Sequence, residues 1–501
     1  MAHHKTSGKV LLCSMPFSAS SHGLGARYEH QGLCSLSAHL RHRSFSAEII
    51  DCNFTGCSAG EAIEAIAQGN PLIAGFSVFS TNYRETVKGA AILREKGFGG
   101  HITLGGHFPT FSYEQVLRDN PAIDSVITGE GEKPLVELAE ALREGRVWGA
   151  IRGIASRRGD SVAWNGPAPL EDPLDFPFPL DRSAYLPRLK GQNFATVISS
   201  RGCTGLCTFC SVKSFYSLCR GKKWRSRSAL DVVGELEYLN REHGISSFAF
   251  FDDNFIGPGR EGRKRASDIA SLIISRDLEL VFSLECRPDS VDADLFKALR
   301  EAGLVKVSLG VESFVPRQQA LYGKKHDGAA TARSIEVLKS LGVHLAIYLI
   351  PFDPFVTSPE LAMNLTEASH VGAEHFPSFS RFLQVFPGIP LYRSLESHIL
   401  PSDRLLLRTP YNEYWLGYHF KAPFIDAILS AFLRCEETAS FMLGRYAKIH
   451  DDSETFLKYR EIRRYMLTKF LEVARKGEES QGSITSMAHG LEIETAGILG
   501  L

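Results

Sequence analysis

The sequence predicts an α/β protein whose chain passes through two successive strand–helix series and ends in a helical region. Three observations predict it. Short, nearly continuous apolar runs alternate with helix-spaced segments up to about residue 145, and again from about 191 to 400. A proline-rich stretch lies between the two series. Beyond Leu400, apolar residues recur at three- and four-residue spacing.

The chain has 501 residues, enough for two to four domains, and 44% of them are hydrophobic. The formal net charge is −1, so no global basic field marks a nucleic-acid binder. No apolar run is long enough to cross a bilayer, and the opening MAHHKTSGKV lacks a signal-peptide core, which leads us to expect a cytoplasmic protein without a membrane partner. The ten cysteines are scattered apart from one triple, a pattern that argues against a disulfide framework.

In residues 1–150 the predicted strands are Val10–Met15, Ala47–Asp51, Leu72–Phe79, Ile102–Leu104 and Ser125–Thr128. Helical patterns fill Gly32–Arg43, Gly60–Gln68, Tyr83–Lys96, Tyr113–Arg118 and Pro134–Arg143. Continuous apolar strands separated by helices imply a doubly wound, Rossmann-like parallel sheet covered on both faces. Ligands of such sheets bind at the carboxyl ends of the strands. The loops there hold Gly23 and Leu24, then Ser77, Thr81 and Asn82, then Gly105, Gly106 and His107, and finally Gly129, Glu130 and Gly131. Glycine permits close backbone approach to a bulky ligand, and hydroxyls bond amides or phosphates.

Residues 151–190, with Pro167, Pro169, Pro173, Pro177, Pro179 and Pro187, read as an extended connector. The second series, residues 191–400, predicts strands at Phe194–Ser199, Ser247–Phe251, Leu280–Leu284, Val305–Leu309, Leu345–Ile350 and Arg381–Phe386. Gly244, Gly303, Gly342 and Gly372 stop the intervening helices, and Asp292, Asp327 and Ser358 suit their N-caps. In residues 401–501 helices are predicted at Phe424–Leu433 and Phe456–Ala474. The aromatics Tyr411, Tyr414, Trp415, Tyr418 and Phe420 before them suit either a core or a pocket wall, and the SQGSITSM stretch reads as a tail.

The stretch SSRGCTGLCTFC carries Cys203, Cys207 and Cys210 in a Cys-x3-Cys-x2-Cys array. Three thiolates at this spacing can ligate three irons of a [4Fe–4S] cube and leave the fourth open. Zinc is the competing reading, with Cys219 as a fourth ligand at an unusual spacing. The array, with Phe209 beside its last cysteine, resembles the signature of the radical S-adenosylmethionine (SAM) superfamily. That resemblance implies a partial (βα)6 TIM-like barrel over residues 191–400, with chemistry at the strand C-termini. It assigns SAM to Asp252, Asp253 and Asn254 after the second strand, Glu285 and Arg287 after the third, Glu312 after the fourth, and Phe209.

LGGHFPT followed by ITGEGE resembles the cobalamin-binding domain that precedes the barrel in one branch of that superfamily. The chain lacks Asp-x-His-x-x-Gly, so the resemblance implies cobalamin bound base-off without a histidine ligand, its lower face covered by a strand-end loop; the lone His107 is the alternative cobalt ligand. A second cluster on Cys13, Cys52 and Cys34 or Cys57, as in methylthiotransferases, is the rival. FY, GKKWRSRS and DDNF together resemble the cobalamin-dependent methylases of natural products, with Arg225 or Arg227 expected at a cofactor. The implied activity is methylation of a substrate carbon, using a 5′-deoxyadenosyl radical and methylcobalamin, on a small molecule or peptide. Rearrangement, cyclisation or oxidation is the alternative, and a non-enzymatic electron carrier is the reading from another class. An external one-electron reductant of flavodoxin or ferredoxin type is the expected partner.

Overall fold

The computed structural model describes residues 8–17, 28–172, 174–175, 180–324, 328–385, 387–398, 418, 420–422, 424–447, 452–477, 490 and 493–499. The chain divides into two units. The first comprises Met1–Gly205, Cys210–Phe282 and Pro410–Trp415, and the second Leu206–Phe209, Ser283–Thr409 and Leu416–Leu501. Gly23, Leu24, Asp327, Tyr411, Tyr414, Trp415 and three of the connector prolines (Pro173, Pro177 and Pro179) lie outside the described residues, as does most of the tail.

The first unit opens with seven strands: β1 (Lys9–Ser14), β2 (Ser46–Asp51), β3 (Ile73–Ser77), β4 (His101–Gly105), β5 (Ser125–Ile127), β6 (Ile154–Arg158) and β7 (Ser161–Trp164). Their order is β2-β1-β3-β4-β5-β6-β7. The first five are parallel and the last two antiparallel. Side chains alternate along β1. Leu11 and Cys13 pack on the face covered by Ala59–Gly69, Tyr83–Glu95 and His107–Asp119. Val10 and Leu12 pack on the face covered by Gln31–His42 and Glu132–Arg143. Helices on both faces are why the strands read as continuous apolar runs. The order reverses between β1 and β3, which opens a crevice at their carboxyl ends.

Two features depart from the sequence reading. The helix expected from Tyr113 begins at His107, because Pro109 is harmless in a first turn, and the non-helical Ser112 (φ −129°) breaks the pattern at that point. Within the expected connector, Ile154–Trp164 fold as the β6–β7 hairpin around Gly159 (φ 59°), and Leu186–Gln192 form a short helix with Pro187 in its first turn.

The first unit continues with β8 (Phe194–Val197), β9 (Ser200–Gly202), β10 (Trp224–Ser226) and β11 (Ser247–Phe250). β8 and β11 pair in parallel, and β9 and β10 form an antiparallel ribbon. A buried polar network ties these parts together. Arg182 donates to Glu29 Oε1 at 2.7 Å, to the Thr196 carbonyl at 3.1 Å, and to Glu235. Gln31 donates to the same carbonyl at 2.9 Å, and the Thr196 N–H donates to Glu29 at 2.9 Å. Connector, first sheet and β8 therefore share one set of charges with almost no solvent access.

The second unit receives the end of β12 (Val281–Cys286) and holds β13 (Leu304–Glu312) and β14 (His344–Leu349), which pair in parallel. Gly303, Gly342 and Gly372 stop its helices at φ 108°, 66° and 119°, as Gly244 does in the first unit at 68°. Asp292 caps as expected, accepting from the Leu295 N–H at 3.0 Å. The last N-cap is Thr357 rather than Ser358, because Thr357 and Glu360 close a capping box. Among its described residues, the expected strand at Arg381–Phe386 is replaced by isolated bridge residues, Phe382 and Val385, with Phe382 bridging Phe352. The C-terminal helices run longer than their patterns, Phe424–Tyr446 and Asp452–Lys476, and stack Phe432 on Phe470 at 3.6 Å. Tyr418 and Phe420 are buried against Phe352 and are core residues.

Replacing Arg182 by leucine leaves Glu29 and Glu235 buried without their partner. The expected loss is about 3–5 kcal/mol, read as a lower first thermal transition, and Arg182→Leu with Glu29→Leu recovers part of it.

Candidate active site

The cysteine loop leaves β9 and enters the helix Ser211–Leu218. None of its cysteines is in a disulfide. In the first unit, the Gly205 N–H donates to Cys203 Sγ at 3.3 Å. In the second, Arg287 Nη1 lies 3.9 Å from Cys207 Sγ while its other nitrogens hold Asp289 at 2.9 and 2.8 Å. N–H groups placed at ligating sulfurs orient them and tune a bound cluster. Leu206–Phe209 is itself held. The Thr208 N–H donates to the Tyr322 carbonyl at 3.0 Å, and Phe209 meets the Tyr322 ring edge-on at 5.5 Å. A Cβ on Gly323 would stand 2.6 Å from the Leu206 carbonyl oxygen, so only glycine allows that approach. Cys219, the fourth ligand of the zinc reading, is buried.

The strand-end acids divide into framework and open groups. Asp252 is buried and accepts from the Ser199 N–H and hydroxyl at 2.7 Å each and the Ser200 N–H at 2.5 Å. Burial raises its pKa, against the pull of Arg265 and these donors. It pins the entry to the cysteine loop. Asp253 accepts from the Gly202 N–H at 2.8 Å but stays open to solvent on one side. The atoms lining its recess, with the Asp252 charge behind it, push its pKa up to about 6. Asn254 is buried with Oδ1 unpartnered. In the second unit, Glu285 stands exposed on β12, and Glu312 ends β13 at φ 69° beside Lys324, 3.2 Å away.

At the crevice of the first sheet, Asn82 is fully buried and fastens the loop after β3 to β1. It donates to the Met15 and Ser77 carbonyls at 3.3 Å each and accepts from the Phe79 N–H at 2.8 Å. Ser77 pairs with His30 Nε2 at 2.8 Å. Thr81 is half-buried in the same turn. Gly106 adopts φ 107°, and a Cβ there would stand 2.7 Å from the Val78 carbonyl oxygen. Gly105 ends β4, and Gly131 precedes the helix Glu132–Arg143. The His107 ring lies 4.3 Å from Phe215 at 13°, and burial lowers its pKa to about 4, leaving a neutral imidazole.

Glu130 does something the sequence did not suggest. It receives Arg225 through both oxygens at 2.7 and 3.0 Å, and Arg201 at 3.1 Å. Glu132 takes Arg201 at 2.6 Å and the Ser35 hydroxyl at 2.8 Å. Burial opposes ionisation of Glu132, and Arg201 overcomes it, holding the pKa at about 2. Arg227 is bound by Asp231 and Glu235. The structure therefore corrects the expectation that Arg225 or Arg227 reaches a cofactor: both are buried and neutralised by the protein's own acids.

Comparison with known proteins agrees with this geometry. The B12 binding domain family matches residues 24–139 and the Radical SAM superfamily matches residues 197–361. An uncharacterized methyltransferase of Pyrococcus horikoshii is 30% identical over 373 residues, 73% of this chain and 79% of that protein. The chain belongs to the cobalamin-dependent radical SAM family. A further relative is the anaerobic magnesium-protoporphyrin IX monomethyl ester cyclase of Synechocystis, 26% identical over 64% of each chain. The fold of the cobalamin-dependent SAM radical enzyme OxsB, solved with aqua-cobalamin bound, superposes with a TM-score of 0.78 at 19% identity, covering 97% of this chain and 76% of that one. The likeness bears out the Rossmann-like first sheet and the partial barrel.

As a family member, this radical SAM enzyme uses a [4Fe–4S] cluster, SAM and cobalamin. Its residues fit them. The loop offers three cysteines with N–H donors at two of them. The crevice offers an aromatic surface, because Phe79 is 37% exposed between Phe17 and His30. Tyr28 and Phe251, 52% and 44% exposed, meet at 4.9 Å in the first unit. Exposed aromatics grouped at strand ends are surface for a flat apolar ring. Sequence reasoning passed over Tyr28, Phe79 and Phe251. The signal was there, an aromatic within two residues of the end of each of two strands, but it is indistinguishable from core in a list of residues. The rival second cluster finds Cys13, Cys34 and Cys52 buried, and burial raises the pKa of Cys34. Among the described residues, no helix is long and apolar enough to cross a membrane.

Glu130→Gln leaves the buried Arg225 without its carboxylate. We expect about 3 kcal/mol or more of destabilisation. Fewer irons should be retained per chain after gel filtration, because the ribbon leads directly into Cys203.

Proposed function

We propose that the enzyme transfers a methyl group to an unactivated carbon of a small molecule or peptide in natural-product biosynthesis. The observation that carries this reading is the binding of the cysteine loop to the first sheet: Glu130 holds β9 and β10, and His107 stacks on the helix after Cys210. A chain that only generated a radical has no need of a cobalamin-type sheet fastened to its cluster loop. When bound, the cluster and SAM supply a 5′-deoxyadenosyl radical for hydrogen abstraction, and cobalamin supplies the methyl group.

The side chains have separable tasks. Cys203, Cys207 and Cys210 hold the cluster, with the Gly205 and Arg287 N–H groups directed at the sulfurs of Cys203 and Cys207. Asp253, with Asn254 Oδ1, accepts the ammonium of SAM. Glu312 takes the ribose hydroxyls, with Phe209, Glu285 and Arg287 around the cofactor. Thr81, Ser77, Gly105, Gly106 and Gly129 form the cobalamin rim, while Asn82, Glu130 and Gly131 shape it. Tyr28, Phe79 and Phe251 exclude water. A small acidic electron carrier of flavodoxin or ferredoxin type supplies the electron. A second reading, oxidative cyclisation without methyl transfer, is favoured by the cyclase relative.

Anaerobic reconstitution with iron, sulfide and hydroxocobalamin tests the reading. About four irons and one cobalamin per chain are expected. Trideuteromethyl-SAM should label the product, and alanine at any of the three cysteines should abolish 5′-deoxyadenosine formation. Four irons without retained cobalamin would overturn methyl transfer, and an unlabelled cyclised product would favour the second reading.

The raised pKa of Asp253 gives a pH dependence. Its carboxylate is present above about pH 6 and lost below it. SAM affinity should therefore fall roughly tenfold per pH unit below that point. Asp253→Asn should bind SAM weakly, with a flat profile in equilibrium dialysis.

A further inference from the structure

We propose that Arg381 reads an anionic group, a carboxylate or a phosphate, on the substrate, with Tyr348 holding its guanidinium in place. The word substrate rests on the function proposed above; the geometry stands apart from it.

Register places the residues. Gly310 on β13 pairs with Tyr348 on β14, and one step back Leu309 pairs with Ile347. Leu309 and Ile347 are fully buried on one face of the sheet, so Gly310 and Tyr348 point to the other. Over Gly310 lie Glu312 and Lys324. A Cβ there would stand 2.9 Å from Glu312 Oε1 and 3.5 Å from Lys324 Nζ. Next along that face is the Tyr348 ring, and over it the Arg381 guanidinium, 4.3 Å from the centroid. The bridge from Phe352 to Phe382 carries Arg381 past the C-terminal end of β14, the end at which βα barrels do their chemistry. The Glu312–Lys324 pair, the Tyr348 ring and Arg381 thus form one row on the face that carries the strand-end acid assigned to SAM.

Charge pairing singles out Arg381. Lys324 is paired with Glu312, Arg287 with Asp289, and Arg317 with Asp353 and Glu360. Arg381 is exposed, and its guanidinium takes no carboxylate or carbonyl partner among the described residues; it lies on the Tyr348 ring. A stacked guanidinium has its plane fixed and its N–H edge directed outward, which suits bidentate binding of a carboxylate or phosphate.

The test uses the reconstituted full-length enzyme. A panel of small carboxylates, phosphate monoesters and their neutral methyl esters or alcohols is screened by retention through gel filtration with mass-spectrometric readout. SAM affinity is measured in parallel by equilibrium dialysis. Wild type should retain anionic members over their neutral partners. Arg381→Ala and Tyr348→Ala should lower that retention at least tenfold, Arg381→Lys less, and Tyr348→Phe little, while SAM affinity stays within twofold throughout. Retention of neutral members equal to that of anions, retention of no anion, or retention unchanged in Arg381→Ala would each overturn the proposal. So would a tenfold loss of SAM affinity in Arg381→Ala, which would assign the guanidinium to the SAM carboxylate instead. Because retention needs no turnover, it stays readable if the methyl-transfer reading fails.

Discussion

Arg201 and Arg225 are direct partners across the β9–β10 ribbon. Like charges opposite one another push a two-stranded pair apart, and a buried guanidinium without a counter-charge costs several kcal/mol. Arg201 is half-buried here, and the Arg225 side chain is fully buried over the Tyr216 ring. Glu130, from the loop after β5, lies between them and neutralises the pair, with Glu132 completing Arg201. The path of the chain into Cys203 therefore depends on an acid contributed by a sheet more than seventy residues earlier.

That arrangement engages several conspicuous polar residues of the sequence within the protein itself. Arg225, Arg227, Glu130, Asn82 and Asp252 each bond to other protein groups in the frame. Buried polar groups must be satisfied, so those that fold first into a network are withdrawn from chemistry. What stays open is a shorter set: Asp253, Asn254 Oδ1, Thr81, the exposed aromatics and Arg381.

Backbone strain marks one position on a strand of the second unit. Five non-glycine residues among those described have positive φ. Asn70 and Asn193 are helix C-caps, Ser44 and Asp277 follow helix ends, and Glu312 alone sits on a strand. The register of β13 slips between Gly310 and Glu312, which turns the carboxylate back over Gly310 toward Lys324. A left-handed glutamate costs of order 1–3 kcal/mol and persists only when its surroundings hold it. The Ile350 N–H to Glu312 carbonyl bond at 2.7 Å and the Lys324 ion pair supply that hold.

The sequence by itself determined the strand–helix rhythm, the helix stops at Gly244, Gly303, Gly342 and Gly372, and the three cysteines with their spacing. These are local properties: periodicity, a left-handed cap and ligand separation along the chain need no partner from afar. Only the tertiary structure decided which charges face one another. It made Ile154–Trp164 a hairpin on the first sheet, replaced the strand expected at Arg381–Phe386 by isolated bridge residues, gave Glu130 to two arginines, and set the Arg381 guanidinium on a ring, with no acid partner among the described residues. Ion pairing and stacking join residues from 33 to 95 positions apart, and composition along the chain carries no record of such meetings.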